Sequence, residues 1–295
     1  MFEGKYLNGK RNGKVKEYYD NGKLMFEGEY LNGERNGKGK YYDKFDKLMF
    51  EGDFLNGKTW NGKGKEYYYN DELIFEGEFL NGERWNGKGK EYNYYDQLEF
   101  EGEYLNGKRT GKIKEFYNDK LIFEGEYVNE ERNGKGKEYY KDGKLMFEGE
   151  YLNGKIWNGK GYNKNGIIEF EIKNGNGKGK EYYYNGILIF EGEYLNGERN
   201  GKGKEYNYLH GELEFEGEYL NGKRNGKGKE YYYYILIFEG EYLNGKRNGK
   251  GKEYDQNGNL IFEGDYLNGK RWNGKFYENS GLNKLEGDYI NGKKN

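Results

Sequence analysis

The chain has 295 residues, 33% hydrophobic and 19% aromatic, with 52 glycines, 35 tyrosines and no proline, cysteine or alanine. Fifty lysines and arginines against 52 aspartates and glutamates leave a net charge of −2, without the basic excess that binding to a nucleic-acid backbone or an anionic membrane draws on. The missing cysteines exclude disulfides, thiolate metal sites and thiol nucleophiles, and the wealth of rings sets the chain apart from disordered polymers.

The first residues already state the pattern. Phe2-Glu3-Gly4 is an anchor that returns at Phe26, Phe50, Phe75, Phe100, Phe123, Phe147, Phe190, Phe215, Phe238 and Phe262, with degenerate copies at Phe170 and Leu285. The steps are 23 to 25 residues except for one of 20 between Phe170 and Phe190, giving thirteen starts. Within one unit, Leu24 to Tyr42, two apolar-containing runs flank Asn32-Gly33, the pair that suits a type I′ turn because both central residues need φ > 0. Asn-Gly stands at this point in twelve of the thirteen units, the exception being Asn129-Glu130. A second turn follows the tyrosines, as at Asn21-Gly22, Asp142-Gly143, Asn185-Gly186 and Asn257-Gly258. Two turns per unit predict two antiparallel strands per unit.

A two-residue loop at Asn32-Gly33 predicts Gly28 opposite Gly37, Phe26 opposite Gly39 and Glu27 opposite Lys38. Across the Asn21-Gly22 turn the same reasoning sets Lys16 beside Glu27 and Lys14 beside Glu29. One face then carries Lys–Glu ladders and the other carries Phe26 and Tyr30 beside bare glycines. A one-residue slip would exchange the faces. Single hairpins are marginal in water, so the units must bury one another's rings along a quasi-one-dimensional array. The expected fold is all-β: residues 1–295 as one continuous array, an elongated, twisted, single antiparallel sheet of tandem hairpins, about 120 Å long at about 4.8 Å per strand.

Further along the chain come the departures. Trp60, Trp85, Trp157 and Trp272 all precede the second-strand Asn-Gly and read as insertions at a bulge or loop rim. The bland expectation is a ring packed on the adjacent strand; the functional one is a rim of aromatics that contacts a partner. The unit from Phe170 to Ile189 lacks the first glycine and the second aromatic, and Tyr231–Tyr234 replaces the usual second turn. His210, the only histidine, takes the place of an asparagine in a turn, and Ser280, the only serine, stands beside Gly281 in another. One serine, one histidine and no cysteine leave no material for a triad, so no catalytic residue, metal site or cofactor is expected. The glutamates repeat identically between lysines, as a solvated ladder would.

Units such as FEGEYLNGERNGKGKEY resemble MORN repeats, whose pattern of aromatic, glycine, aromatic and later Gly-x-Gly falls here on Phe190, Gly192, Tyr194, Gly197, Gly201 and Gly203. The resemblance spans essentially the whole chain. It implies an elongated sheet and a scaffolding role, often beside the cytoskeleton or membranes, with phosphoinositide binding proposed for some members. Gly-Lys-Gly-Lys recurs inside predicted strands rather than in the strand-to-helix setting of a phosphate loop. Stacked Lys38, Lys63, Lys88 and Lys135 form a candidate basic strip for anionic lipid headgroups, opposed by the glutamates of the same face. No run approaches the roughly 20 apolar residues of a membrane span, and the repeat starts at once, which reads as cytoplasmic. The expectation is a non-enzymatic scaffold for protein partners, including a homo-dimer or end-to-end assembly through its uncapped ends, with a lipid adaptor as the alternative and no nucleic-acid partner.

Overall fold

The computed structural model describes residues 1–68, 71–183, 185–280 and 283–295. Among the described residues there are twenty-six strands and no helix, from Phe2–Leu7 to Lys293–Lys294. The chain divides into two compact units, Met1–Asn133 and Gly134–Asn295. Within each, every described pairing is antiparallel and joins strands adjacent in sequence, which is the meander of tandem hairpins that the repeat predicts.

The turns set the hairpins. At all thirteen first turns both central residues are left-handed, the asparagines at φ 49 to 54° and their followers at 73 to 96°. Glu130 takes this conformation at φ 73° without being glycine. The second turn is a five-residue loop in which the Tyr19 amide donates to the Lys23 carbonyl at 2.9 Å and only Gly22 has φ > 0, at 80°. The stretch Tyr231–Tyr234 differs, as the sequence suggests. Tyr232 pairs with Ile235, and Tyr233 and Tyr234 make a two-residue turn at φ 46 and 66°. Asn118 and Asp119 make the same two-residue turn at φ 50 and 58°; asparagine and aspartate tolerate this conformation, whereas for tyrosine it costs about 1–2 kcal/mol. His210 lies in the turn expected for it, its amide donating to the Asn207 side chain at 3.1 Å. Ser280 closes the strand Lys270–Ser280, paired with Asn283, and Gly281 lies outside the described residues.

Register corrects the expectation in one half of the unit from Leu24 to Tyr42. Across the second turn Lys16 faces Glu27 and Lys14 faces Glu29, as predicted. Across the first turn Tyr30 faces Arg35, but Gly28 then faces Gly39, Glu27 faces Lys40 and Phe26 faces Tyr41. The predicted partners Gly37, Lys38 and Gly39 are therefore each displaced by two residues. The cause is a bulge at Asn36–Lys38, where Gly37 turns to φ 97°. Because the slip is even, side chains keep their faces. Glu27 still stands between two lysines, Lys16 and Lys40.

The ring face is the core. Phe26, Phe75, Phe123, Phe190, Phe215, Phe238 and Phe262 are fully buried. Each lies flat across the glycines: a Cβ added at Gly203 would meet the Phe190 ring at 2.6 Å, and one at Gly228 the Phe215 ring at 2.5 Å. The next unit's tyrosine closes the stack edge-on, as in Phe190–Tyr219 and Phe215–Tyr242 with centroids 5.3 and 5.2 Å apart. Such pairs add about 0.5–1.5 kcal/mol each beyond the area they bury. A single sheet thus acquires a dry core on one face.

Candidate functional site

A third glutamate per unit, the one in Lys-Glu-Tyr, does not belong to the ladder. Glu17 shares its face with Val15 and stands opposite Phe26, on the ring side. It accepts the Tyr30 hydroxyl at 2.8 Å and two bonds from Arg35 at 3.1 and 2.7 Å. The expectation that all glutamates sit between lysines is corrected here. Alternation along the strand from Lys14 to Tyr18 carries the signal, since Glu17 is one step out of phase with both lysines.

In the second unit these groups join into one line. Arg199 binds Glu181 through Nε at 2.9 Å and Glu205 through Nη1 at 3.0 Å. Arg224 continues from Glu205 at 2.9 Å toward Glu230 at 3.9 Å. Arg247 links Glu230 at 3.2 Å to Glu253 at 3.8 Å, and Arg271 ends on Glu253 at 2.9 Å. Each guanidinium also covers a phenylalanine, with Arg199, Arg224 and Arg247 at 4.0, 4.2 and 4.1 Å from the centroids of Phe190, Phe215 and Phe238. Burial alone would push the Glu230 and Glu253 carboxyls up, but the bonds from Arg247 with Tyr242, and from Arg271 with Tyr266, outweigh it and hold both below the usual value. Burial, and then the bond to Glu91, pushes the Tyr104 phenol up to about 12. This line ties each hairpin to the next.

The opposite face offers a surface. In the second unit a groove of about 1090 Å³ runs across the strands from Ile168–Lys173 to Leu260–Leu267. Its floor is a row of paired glycines, Gly192 with Gly203, Gly203 with Gly217, Gly217 with Gly228 and Gly228 with Gly240. Alternating lysines and glutamates wall it on both sides, such as Lys202 opposite Glu218 and Lys204 opposite Glu216. The floor is bare because these positions are in phase with the rings, so that a side chain there would point to the ring face. Toward the first-turn rim of this face come Leu195, Leu220, Leu243 and Leu267, each in phase with the ladder glutamates and 42 to 52% exposed.

The candidate tryptophans occupy bulges: register shifts at each, between Asp53 and Phe54, Glu78 and Phe79, Glu150 and Tyr151, and Asp265 and Tyr266. Each ring is half-buried beside the following turn's glycine: a Cβ at Gly82 would meet Trp60 at 3.7 Å, at Gly107 Trp85 at 3.4 Å, at Gly175 Trp157 at 2.8 Å and at Gly292 Trp272 at 3.3 Å. The same glycine amides donate to the tryptophan carbonyls, at 2.8 Å for Gly82 on Trp60. The candidate lysines each face a carboxylate, Lys38 with Asp53, Lys63 with Glu78, Lys88 with Glu103 and Lys135 with Glu150. Lys63 and Lys88 approach theirs at 3.7 and 3.8 Å while staying 80% exposed. Lys38, Lys63 and Lys88 belong to the first unit and Lys135 to the second. Among the described residues no cluster of three histidines, cysteines, aspartates or glutamates is arranged to hold a metal ion.

No curated protein matches the chain. Among solved structures it is similar to a TcdB2-TccC3-TEV crystal structure, at 11% identity over 92% of this chain and 16% of that one, with a TM-score of 0.19. The Photorhabdus luminescens Tc holotoxin pore matches at 11% over 93% and 15%, TM-score 0.18, and a TcdB2-TccC3 crystal structure at 10% over 94% and 17%, TM-score 0.14. The chain thus spans less than a fifth of each of these three chains. The MORN repeat model matches residues 26–44, 100–112, 190–207, 215–233 and 238–260, and the MORN repeat variant model matches 11–32, 132–153 and 175–196. With the Gly-spaced rings, the two-strand unit and these matches in agreement, the chain is a MORN-repeat protein.

Proposed function

We propose that this chain is a non-enzymatic scaffold that holds protein partners on the polar face of its hairpins, with self-association as one form of that role. The leucine row carries the reading. The fold buries its rings on the other face and needs no apolar side chain at Leu195, Leu220, Leu243 and Leu267, yet each unit of the regular block presents one, about half exposed. Their cross-strand neighbours Glu198, Lys223, Lys246 and Lys270 give the row a charged flank. An apolar centre with a polar rim is the composition of a protein interface.

Affinity purification of the intact chain from its native cell, beside the Leu220→Glu/Leu243→Glu variant, tests this. A partner that co-purifies with the parent and is depleted with the folded variant is the expected result; identical profiles would sink the reading. Light scattering across a concentration series checks the self-association, and a strict monomer removes it. The lipid alternative has less support, because Lys63 and Lys88 are held in ion pairs by Glu78 and Glu103 at 3.7 and 3.8 Å and the four lysines do not belong to one compact unit. Liposome flotation with and without phosphoinositides decides it separately.

A further inference from the structure

The walls of the second unit's groove hold eight lysines and eight glutamates, so they are neutral by count. By contact they are not symmetric. Glu191, Glu216 and Glu239 accept the hydroxyls of Tyr206, Tyr231 and Tyr254 at 2.7, 2.8 and 2.8 Å. Glu193, Glu218 and Glu241 accept the bulge amides of Lys202, Lys227 and Lys250 at 3.3, 3.4 and 3.2 Å. Glu169 and Glu263 hold Lys180 and Lys252 at 3.3 and 3.2 Å. Every carboxylate is therefore engaged. The ammonium groups of Lys178, Lys202, Lys204, Lys227, Lys229 and Lys250 are exposed and have no ion pair or hydrogen bond among the described residues. These ammonium groups are free to contact an incoming anion, although each stands across the ladder from a carboxylate.

Spacing narrows the ligand. Successive lysines of one row, such as Lys178, Lys202, Lys227 and Lys250, stand two strands apart, about 9.6 Å at about 4.8 Å per strand. A polyproline-II segment rises about 3.1 Å per residue and returns a side chain to the same side every third residue, about 9.3 Å along. A β-strand does so every second residue, at about 6.8 Å. An α-helix repeats at about 10.5 Å per seven residues and drifts roughly 3 Å out of step over the four lysines. The glycine floor also suits a segment without lateral hydrogen bonds, since the floor's backbone is already engaged in the ladder.

We propose that this groove binds a polyproline-II segment of a partner protein that carries an acidic side chain at every third residue. The proposal rests on the reading of the chain as a protein-binding scaffold and names the chemistry of one partner. Because the lysines are offset by neighbouring carboxylates, recognition acts through direct contact and depends on register rather than on bulk charge.

Fluorescence anisotropy of labelled (Glu-Pro-Pro)4 against the intact chain tests it. The expected result is tighter binding than that of an isomer with its four glutamates in one block, and no binding of (Lys-Pro-Pro)4. Lys202→Gln and Lys227→Gln each weaken binding about threefold to fivefold, the worth of one exposed charge pair, while Lys88→Gln in the first unit leaves it unchanged. Circular dichroism of the variants confirms that the fold is retained. Equal binding of the block isomer or of heparin reduces the groove to a plain polyanion site and overturns the proposal, as does absence of binding or indifference to the groove variants. A partner that co-purifies through the leucine row while these peptides fail would leave the scaffold reading standing and remove only this one.

Discussion

Two stretches of the second unit share one repeat pattern and differ in what holds them. In the block from Leu188 to Leu267, glutamate, tyrosine and arginine recur in every hairpin, and the line from Glu181 to Arg271 is unbroken. At the hairpin Ile168–Lys173 with Asn176–Tyr182 the glutamate of the preceding strand and the hairpin's own tyrosine and arginine are missing together. Gly161 stands opposite Phe170 where Glu181 stands opposite Phe190, Ile172 faces Gly177 where Tyr194 does, and Lys173 pairs directly with Asn176 with no arginine between. Phe170 loses full burial and stacks on Phe147 at 16°, instead of meeting a tyrosine edge-on. The first unit repeats the lesson: Tyr41 replaces the glutamate opposite Phe50, and its two donors become Phe54 and Thr59. A half-buried carboxylate without donors is costly, so the glutamate is missing where both donors are. Elsewhere one of the two donors suffices: Arg84, opposite Phe79, for Glu66, and Tyr151, opposite Ile156, for Glu138.

The largest break in that comparison is steric. Gly217→Ala in the regular block would set a Cβ 2.6 Å from Phe215 and 2.7 Å from the backbone of Gly228 and Lys227. We expect a loss of about 3 kcal/mol in chemical denaturation, the upper range for overpacking. Gly222→Ala, at φ 78° with nothing within 4 Å, should cost only the left-handed strain of about 1–2 kcal/mol. Equal losses at the two sites would show that the ring-over-glycine contact is not what holds the block.

Next comes the ionic line. Glu230→Gln leaves Arg224, Arg247 and Tyr242 with a weaker acceptor, and a loss of about 2 kcal/mol is expected for hydrogen bonds to a charged group. In the first unit, Tyr41→Glu alone should destabilise, whereas Tyr41→Glu with Phe54→Tyr and Thr59→Arg should recover about 1 kcal/mol more than the single changes sum to. Strict additivity in thermal melts would mean the three do not act together.

The smallest effect per group is with pH. Glu91, Glu230 and Glu253 have lowered carboxyl pKa values, so their contribution is present above the unfolded value of about 4.3 and fades as pH falls through the folded values. The phenols of Tyr104, Tyr127, Tyr231 and Tyr254 are pushed up to about 12, burial being the first cause and a glutamate bond the second. Their contribution is full below about pH 10 and is lost as pH rises toward about 12. Circular dichroism between pH 2 and 12 should show stability falling at both ends. Hydrogen exchange should locate the acid loss in the regular block, and even loss across the short hairpin would count against the line as its source.

Much of this was legible in the chain itself. The period, the left-handed Asn-Gly pairs, the two faces and the pairs Lys16–Glu27 and Lys14–Glu29 are local consequences of turn chemistry and alternation. Even the ring-side place of Glu17 follows from parity, although its partners do not. Tertiary structure alone decided the two-residue slip at Asn36–Lys38, the reach of Arg35 across 18 residues to Glu17, and the seat of Trp157 beside Gly175. It also decided that six groove lysines stand unpaired while the eight glutamates lining the groove are each engaged. The reason is physical: alternation fixes which face a side chain takes, but a bulge fixes its height along the neighbouring strand, and contacts depend on both.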